Sequence, residues 1–303
     1  MPKLDRLFRA ILVSSVVQNL SGMAEMDFLS MYQAAKKNQL RRKGAIVSSS
    51  PRTLLLENSL LHLVCSPPIV QFQMKLLPDE TLKKLLQDLD SLGEWNELRG
   101  RSVMVLGGTP HPCGAIVEEL PDWLHEIAVA VGNICFDGRT PDQVLVNSYN
   151  FSQGIGHHCD GPLYAPQVAI LSLCGGAKIE FRPNQEILEE NAAHRTSALK
   201  EFSLYLPSNS ILKFSESAYQ SFTHGIEPNP IDIIDDTCLN CEQAGLMIGQ
   251  TIPRASRRIS LTFRFLSRVE TRLDEFGVCS TEMREEIDRR KAWWLSAITE
   301  TDY

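Results

Sequence analysis

No stretch of the 303 residues approaches the run of roughly 20 apolar residues that a membrane-crossing helix needs, so neither a membrane span nor a membrane partner is expected. Cysteine is sparse, with eight residues scattered along the chain rather than spaced as the framework of a small stapled domain. A secretory signal with a small-residue cleavage site is also lacking. Free thiols and a reducing compartment, cytoplasm or nucleus, are therefore expected. There is no excess of basic charge: 30 Lys and Arg stand against 37 Asp and Glu, a net charge of −7, which argues against a uniformly basic nucleic-acid binder. Internal repeats are missing too.

What is present is an ordinary globular composition, 43% hydrophobic and 22% charged, enough for one large domain or two small ones. The charge is unevenly placed. Residues 1–52 hold nine Lys or Arg against Asp5, Glu25 and Asp27, a balance of +6, which leaves −13 for the remainder. Lys36, Lys37, Arg41, Arg42 and Lys43 could follow a phosphate backbone or simply form a solvated arm. Leu4, Leu7, Phe8, Ile11, Leu12, Val16 and Leu20 recur at helical spacing beside Lys3, Arg6 and Arg9, so a mitochondrial presequence is an alternative reading of this end. After the linker-like Ser48-Ser49-Ser50-Pro51, three segments are expected: a basic, mobile extension over 1–60, a folded domain over 61–269, and a helical tail over 270–303.

Within the domain, the stretch from Val64 to Leu77, broken by Pro67-Pro68, reads as an edge strand. Pro78-Asp79-Glu80 opens a helix with Leu82, Leu85, Leu86, Leu89 and Leu92 on one stripe, and Leu120-Pro121-Asp122 opens a second that buries Trp123, Leu124, Ile127 and Val131. Between them, Gly107-Gly108-Thr109-Pro110-His111-Pro112 is rich in breakers and is expected to be a loop. Short strands follow at 144–151, 167–174, 177–182, 201–206, 210–215 and 257–266, with 183–199 and 228–256 as long loops. This pattern predicts an α+β chain with a jelly-roll, or double-stranded β-helix, core and two supporting helices.

The stretch VLVNSYNFSQGIGHHCDG, 144–161, concentrates the chemistry. Strand alternation puts Asn147 and Tyr149 on one face, and beyond a turn it points His158 and Asp160 to one side with Cys159 on the other. Two His and one carboxylate on one face of an octahedron leave open positions, the arrangement of non-haem Fe(II) oxygenases. His-x-Asp alone is expected by chance about 0.4 times in such a chain, so the other residues must carry the reading. For a third ligand His62, His111 and His125 precede the strands, His194 lies in a loop and His157 faces away from His158. His224, just after the strand pair at 201–215, remains. In Arg258-Ile259-Ser260-Leu261-Thr262-Phe263-Arg264, the residues Arg258, Ser260, Thr262 and Arg264 share one face, which suits a small dianion because guanidinium pairs bidentately with carboxylate. A surface strand with solvated Arg is the rival reading.

Taken together, Asn147 and Tyr149, His158 and Asp160, the distal His224, and Arg258, Thr262 and Arg264 resemble the Fe(II)- and 2-oxoglutarate-dependent dioxygenases of the AlkB type over about residues 64–268. More narrowly, Gly-Gly-x-Pro-His-Pro at 107–112, Leu-Pro-x-Trp-Leu at 120–124, Asp-Gly-Pro-Leu-Tyr at 160–164 and His-Gly-Ile at 224–226 are similar to the sixth-homologue subfamily. Ser260 stands where many members have Asn. The resemblance implies an enzyme with His158, Asp160 and His224 on Fe(II), and O2 as co-substrate. It implies that Arg258 pairs with the 5-carboxylate of 2-oxoglutarate, with Asn147, Tyr149, Ser260 and Thr262 beside it and Arg264 nearer the metal end. It also implies a lid drawn from 100–118, with Tyr164 near the entrance. The expected activity is oxidative demethylation of an alkylated base in RNA or single-stranded DNA by a monomer. Two rivals stay open: a nucleic-acid- or protein-binding module with little turnover, favoured by the acidic body, and a protein hydroxylase.

Overall fold

The computed structural model describes residues 62–267, apart from 66–67, 94, 99, 112–113, 118, 162 and 185–198. The basic extension, most of the acidic loop after residue 183 and the helical tail lie outside the described residues. Two antiparallel sheets face each other. The larger has eight strands in the order β1 (His62–Cys65), β2 (Ile69–Met74), β12 (Ser210–Ser215), β9 (Gln167–Cys174), β16 (Arg257–Arg264), β7 (Gln143–Asn150), β4 (Arg101–Leu106), β3 (Asn96–Leu98). The smaller has four, β11 (Phe202–Leu206), β10 (Ala177–Pro183), β13 (Phe222–Ile226), β8 (Ile155–His158). This is the jelly-roll that the strand pattern predicts. None of the described helices is long and apolar enough to cross a membrane.

Alternation along the central strands sorts the side chains into two layers. Ile259, Leu261 and Phe263 of β16, Val144 and Val146 of β7, and Ala169, Leu171 and Leu173 of β9 are buried on the outer face of the large sheet. Two helices cover that face, α1 (Asp79–Leu92) and α2 (Asp122–Cys135), through Leu85 and Leu89 and through Leu124, Ile127 and Val131. Pro78 and Pro121 precede the first turns, where a missing N–H costs nothing, and acidic Asp79, Glu80 and Asp122 complement the helix dipole. Gly93 in the left-handed region (φ 62°) ends α1. The opposite face of the large sheet looks at the small sheet and encloses the second core. Asn209, also left-handed (φ 57°), turns β11 into β12 and clamps the chain before α1 by accepting from Leu77 N (2.8 Å) and donating to Leu77 O (2.7 Å).

Five expectations need correction. Gly108–His111 is strand β5, paired with β6 (Gly114–Val117), because both strands of a two-stranded hairpin are edges, where a Pro that lacks an N–H is tolerated. The stretch 228–256 contains a further pair, β14 (Ile231–Ile233) with β15 (Thr251–Pro253). Residues 101–106 of the supposed lid are β4, hydrogen-bonded to β7 inside the large sheet, so only the β5–β6 hairpin stands apart from it. The segment before α1 supplies two strands, and Trp123 is half-buried rather than in the core.

Candidate metal centre and its cavity

A cavity of about 780 Å³ opens between the sheets. Every residue singled out from the sequence lines it: Asn147, Tyr149, His158, Asp160, His224, Arg258, Ser260, Thr262 and Arg264. The ladder explains how. Antiparallel β16 and β7 place Arg258 opposite Tyr149, Ser260 opposite Asn147, Thr262 opposite Leu145 and Arg264 opposite Gln143, so the inward positions of two strands form one polar wall. The facing wall is β8 and β13, where His158 and His224 are direct cross-strand partners with ring centroids 4.4 Å apart.

At this end one ligand atom each from His158, Asp160 and His224 lies within 4.8 Å of the others. His158 Nδ1 donates to Gly156 O (2.9 Å), so Nε2 keeps its lone pair. The His224 ring is wedged between Phe214 and Phe181, at 5.0 and 5.9 Å between centroids. Burial, then the neighbouring His158, pushes the His224 pKa down to about 3, and burial also lowers that of His158, so both rings are neutral donors at pH 7. Burial pushes the Asp160 carboxyl upward, but Arg264 and the two imidazoles outweigh it and hold it below its ordinary value. Arg264 Nη2 meets Asp160 Oδ1 at 2.5 Å, while Asp160 Oδ2 is buried with no hydrogen-bond partner among the described residues. Two neutral imidazoles and an ionised carboxylate with a spare buried oxygen fit a divalent ion of the iron type.

Farther along the wall Arg258 is 5% exposed. It donates to Ser260 Oγ (3.0 Å) and Ser172 Oγ (3.2 Å) and lies over the Tyr149 ring at 5.5 Å, but no described carboxylate lies within ion-pair distance. Burial lowers its pKa. Its Nε and Asn147 Oδ1 are also buried with no hydrogen-bond partner among the described residues. A buried guanidinium lacking an anion is expensive, and a dicarboxylate such as 2-oxoglutarate supplies what it lacks. Tyr164 is not at an entrance: it is 9% exposed and packs under Arg264, whose guanidinium sits 4.6 Å from its ring centre.

The rim is braced from outside. Arg254, after β15, pairs with Asp232 (2.6 Å; side chains 5% and 3% exposed) and donates to the carbonyls of Gln153 (3.2 Å) and Glu227 (2.7 Å), both cavity-lining residues. Gly154 is required there, because a Cβ would lie 2.1 Å from Ile226 O. A second triad, His157, Glu180 and Glu227, also gathers ligand atoms within 4.8 Å. Its carboxylates are already engaged, Glu180 with Lys178 (3.2 Å) and Arg182 (2.7 Å), and Glu227 with Arg182 (3.1 Å), so it reads as an ion-pair network.

Sequence reasoning missed Gln143 and Arg101. Both line the cavity, and the same alternation that marks Tyr149 and Asn147 reaches Gln143 after two more steps.

Comparison with known proteins gives a family match described as the 2OG-Fe(II) oxygenase superfamily over residues 95–264. A Danio rerio protein named "Probable RNA/DNA demethylase ALKBH6" is 31% identical over 207 residues, 67% of this chain and 88% of the relative. "Uncharacterized protein L905" of Acanthamoeba polyphaga mimivirus is 28% identical over 169 residues, 54% of this chain and 67% of the relative. Among solved structures, "The structure of OsALKBH1" aligns with a TM-score of 0.43 and 18% identity, covering 65% of this chain and 96% of that one.

Proposed function

From the premise that the chain belongs to the 2OG-Fe(II) oxygenase superfamily, as an AlkB-type dioxygenase using Fe(II), 2-oxoglutarate and O2, we propose that it oxidatively demethylates an alkylated base in RNA or single-stranded DNA. The observation that carries this reading is the cavity itself, which joins a His-Asp-His cluster to a buried Arg258 without an anion. In the proposal, His158, Asp160 and His224 hold the iron. Arg258, helped by Ser260, Asn147 and Tyr149, takes the far carboxylate of 2-oxoglutarate, with Thr262 on the same wall and Arg264 keeping Asp160 ionised and aimed. The bound groups supply oxidation of a C–H bond: an N-methyl group, 2-oxoglutarate and O2 become N-hydroxymethyl, succinate and CO2, and the hydroxymethyl group leaves as formaldehyde.

The chain's own residues do the rest. Neutral His158 and His224 present lone pairs rather than protons. The Arg264–Asp160 pair keeps the carboxylate from picking up a proton in an apolar setting. Phe181 and Phe214, both fully buried, pack against the His224 ring and shield that side of it from water. The target base has to leave any stack to enter a cavity of this kind, so a single-stranded or flipped nucleotide is the expected substrate.

The test is stoichiometric. Purified protein with Fe(II) and 2-oxoglutarate is given single-stranded oligonucleotides that carry one N-methylated base. One formaldehyde per succinate is expected, and succinate with no formaldehyde from any of them sinks the reading. Hydroxylated peptide as the product instead would favour a protein hydroxylase.

A further inference from the structure

The excursion between β13 and β16 carries a motif that the cavity does not use, Cys238-Leu239-Asn240-Cys241. No other two of the eight cysteines are closer in sequence than Cys159 and Cys174, 15 positions apart. Both members of the close pair are free thiols, Cys238 being 7% exposed and Cys241 half-buried.

Strand β11 is an edge of the small sheet, and this stretch covers it. Cys238 forms a parallel bridge with Ser203, whose N–H donates to Thr237 O (2.9 Å) and whose carbonyl accepts from Leu239 N (2.9 Å). One step on, the Asn240 side chain stands in for a strand's backbone: it accepts from Tyr205 N (2.9 Å) and donates to Tyr205 O (2.8 Å). Leu239 and Asn240 form a turn, and both are thereby fixed to β11. The ends of a tight turn lie within about 7 Å between Cα atoms, which overlaps the roughly 4.4–6.8 Å that a disulfide spans. The Cys241 thiol already folds back over the turn and donates to Cys238 O (2.9 Å). Burial, then the hydrogen-bonded Cys241 thiol, pushes the Cys238 pKa up to about 12, so Cys238 is protonated at pH 7. The more exposed Cys241 therefore meets an oxidant first.

We infer that Cys238 and Cys241 are a redox-active dithiol, which a small disulfide such as oxidised glutathione converts into an intramolecular disulfide that staples the covered edge of β11. The Cys241 thiolate attacks one sulfur of the oxidant and expels the first thiolate. Cys238 then gives up its proton, attacks the Cys241 sulfur of the mixed disulfide and expels the second. Two protein thiols lose two electrons and two protons, and the oxidant leaves as two thiols. In a reducing compartment such a pair rests as thiols, and its disulfide is a transient report of redox poise. The staple lies six residues along the chain from Asp232, which with Arg254 braces the cavity rim.

The experiment uses the full chain loaded with Mn(II) and 2-oxoglutarate, so that no iron is oxidised, in buffers of graded oxidised-to-reduced glutathione ratio. Thiols are trapped by alkylation after unfolding and mapped by mass spectrometry, and amide hydrogen exchange is followed on the same samples. Cys238 and Cys241 should leave the alkylatable pool together, on a peptide lighter by two hydrogens, at ratios where Cys135 and Cys174 stay alkylatable. The Ser203 and Leu239 amides should exchange roughly threefold or more slowly in the oxidised form, because the closed turn holds them to the edge. Cys238→Ser should accumulate the glutathione adduct on Cys241, whereas Cys241→Ser should stay unmodified; the measurements on the parent chain decide the matter even if a variant does not fold. Both thiols remaining alkylatable at ratios that fully oxidise free dithiothreitol overturns the assignment. So does exchange that is unchanged or faster on oxidation, or an adduct that forms on Cys238 first. Co(II) binding by the parent that both Ser variants lose would make the two cysteines metal ligands instead, and the redox assignment would fall.

Discussion

The space between the two sheets has an apolar half and a polar half, built by the same strands. In the first, Phe72, Ile170, Leu212 and Phe214 of the large sheet meet Ile179, Phe181, Leu204 and Phe222 of the small one, with Phe181 stacked on Phe202 at 4.6 Å and edge-on to Phe214 at 5.1 Å. In the second, β16 and β7 present arginines, amides and hydroxyls to the two histidines and leave a cavity. His224 is the boundary, touching Phe214 on one side and His158 on the other. One half is complete as folded. The other holds buried side-chain atoms of Gln143, Asn147, Asp160 and Arg258 that have no hydrogen-bond partner among the described residues. Stability should therefore reside in the first half and function in the second, and substitutions can separate them.

The largest effect is expected from His158→Ala, which removes a donor whose hydrogen bond among the described residues is to Gly156 O. Fe(II) binding at micromolar metal and turnover should both vanish while the thermal midpoint of the metal-free protein barely moves; metal titration checks this, and full occupancy in the variant would break the ligand assignment. In the apolar half Phe181→Ala should cost about 3–5 kcal/mol of stability, as a fully buried ring is lost. Denaturant unfolding measures it, and a loss below about 1 kcal/mol would mean that the stacked rings are not the core.

Arg258→Met sharpens the contrast. It should weaken 2-oxoglutarate binding by about 2–5 kcal/mol, seen by calorimetry, yet leave the cofactor-free protein as stable or more so, because an unpaired buried charge is removed. Destabilisation of the cofactor-free protein would contradict the idea of an unsatisfied site. The smallest effect concerns Glu180, on the inner strand β10 of the small sheet. His157, Lys178 and Arg182 hold its pKa down, from an ordinary 4.5 to about 2. A depressed acid contributes stability above its unfolded pKa and loses it as the pH falls, here between about 4.5 and 2. Glu180→Gln should cost on the order of 1–2 kcal/mol at pH 7, discounted for partial solvation, and should flatten the acid limb of the stability curve. An unchanged acid limb would show that these ion pairs do not matter to folding.

How much of this was legible depends on range. The helices announced themselves through local marks, Pro78 and Pro121 ahead of apolar stripes, and the walls of the cavity through alternation in Arg258–Arg264 and Asn147–Tyr149. Pairing partners were not legible, since nothing local says that β4 lies beside β7 or that β2 lies beside β12. Short pairs such as β5–β6 and β14–β15 hide behind Gly, Pro and Asn, which signal loops whether or not a ladder forms nearby. Gln143 was passed over because a lone amide before an apolar run reads as a strand boundary. Only the fold shows that no described residue meets it.

His158 and His224 sit side by side across a ladder but 66 residues apart in the chain. An ion gripped by both would act as a removable cross-link, closing a long loop that the unfolded chain otherwise leaves open. Occupancy would then enter the unfolding equilibrium through mass action. The amides of β8 and β13 would exchange with solvent more slowly as metal is added, making the small sheet a gauge of available iron as well as a wall of the cavity.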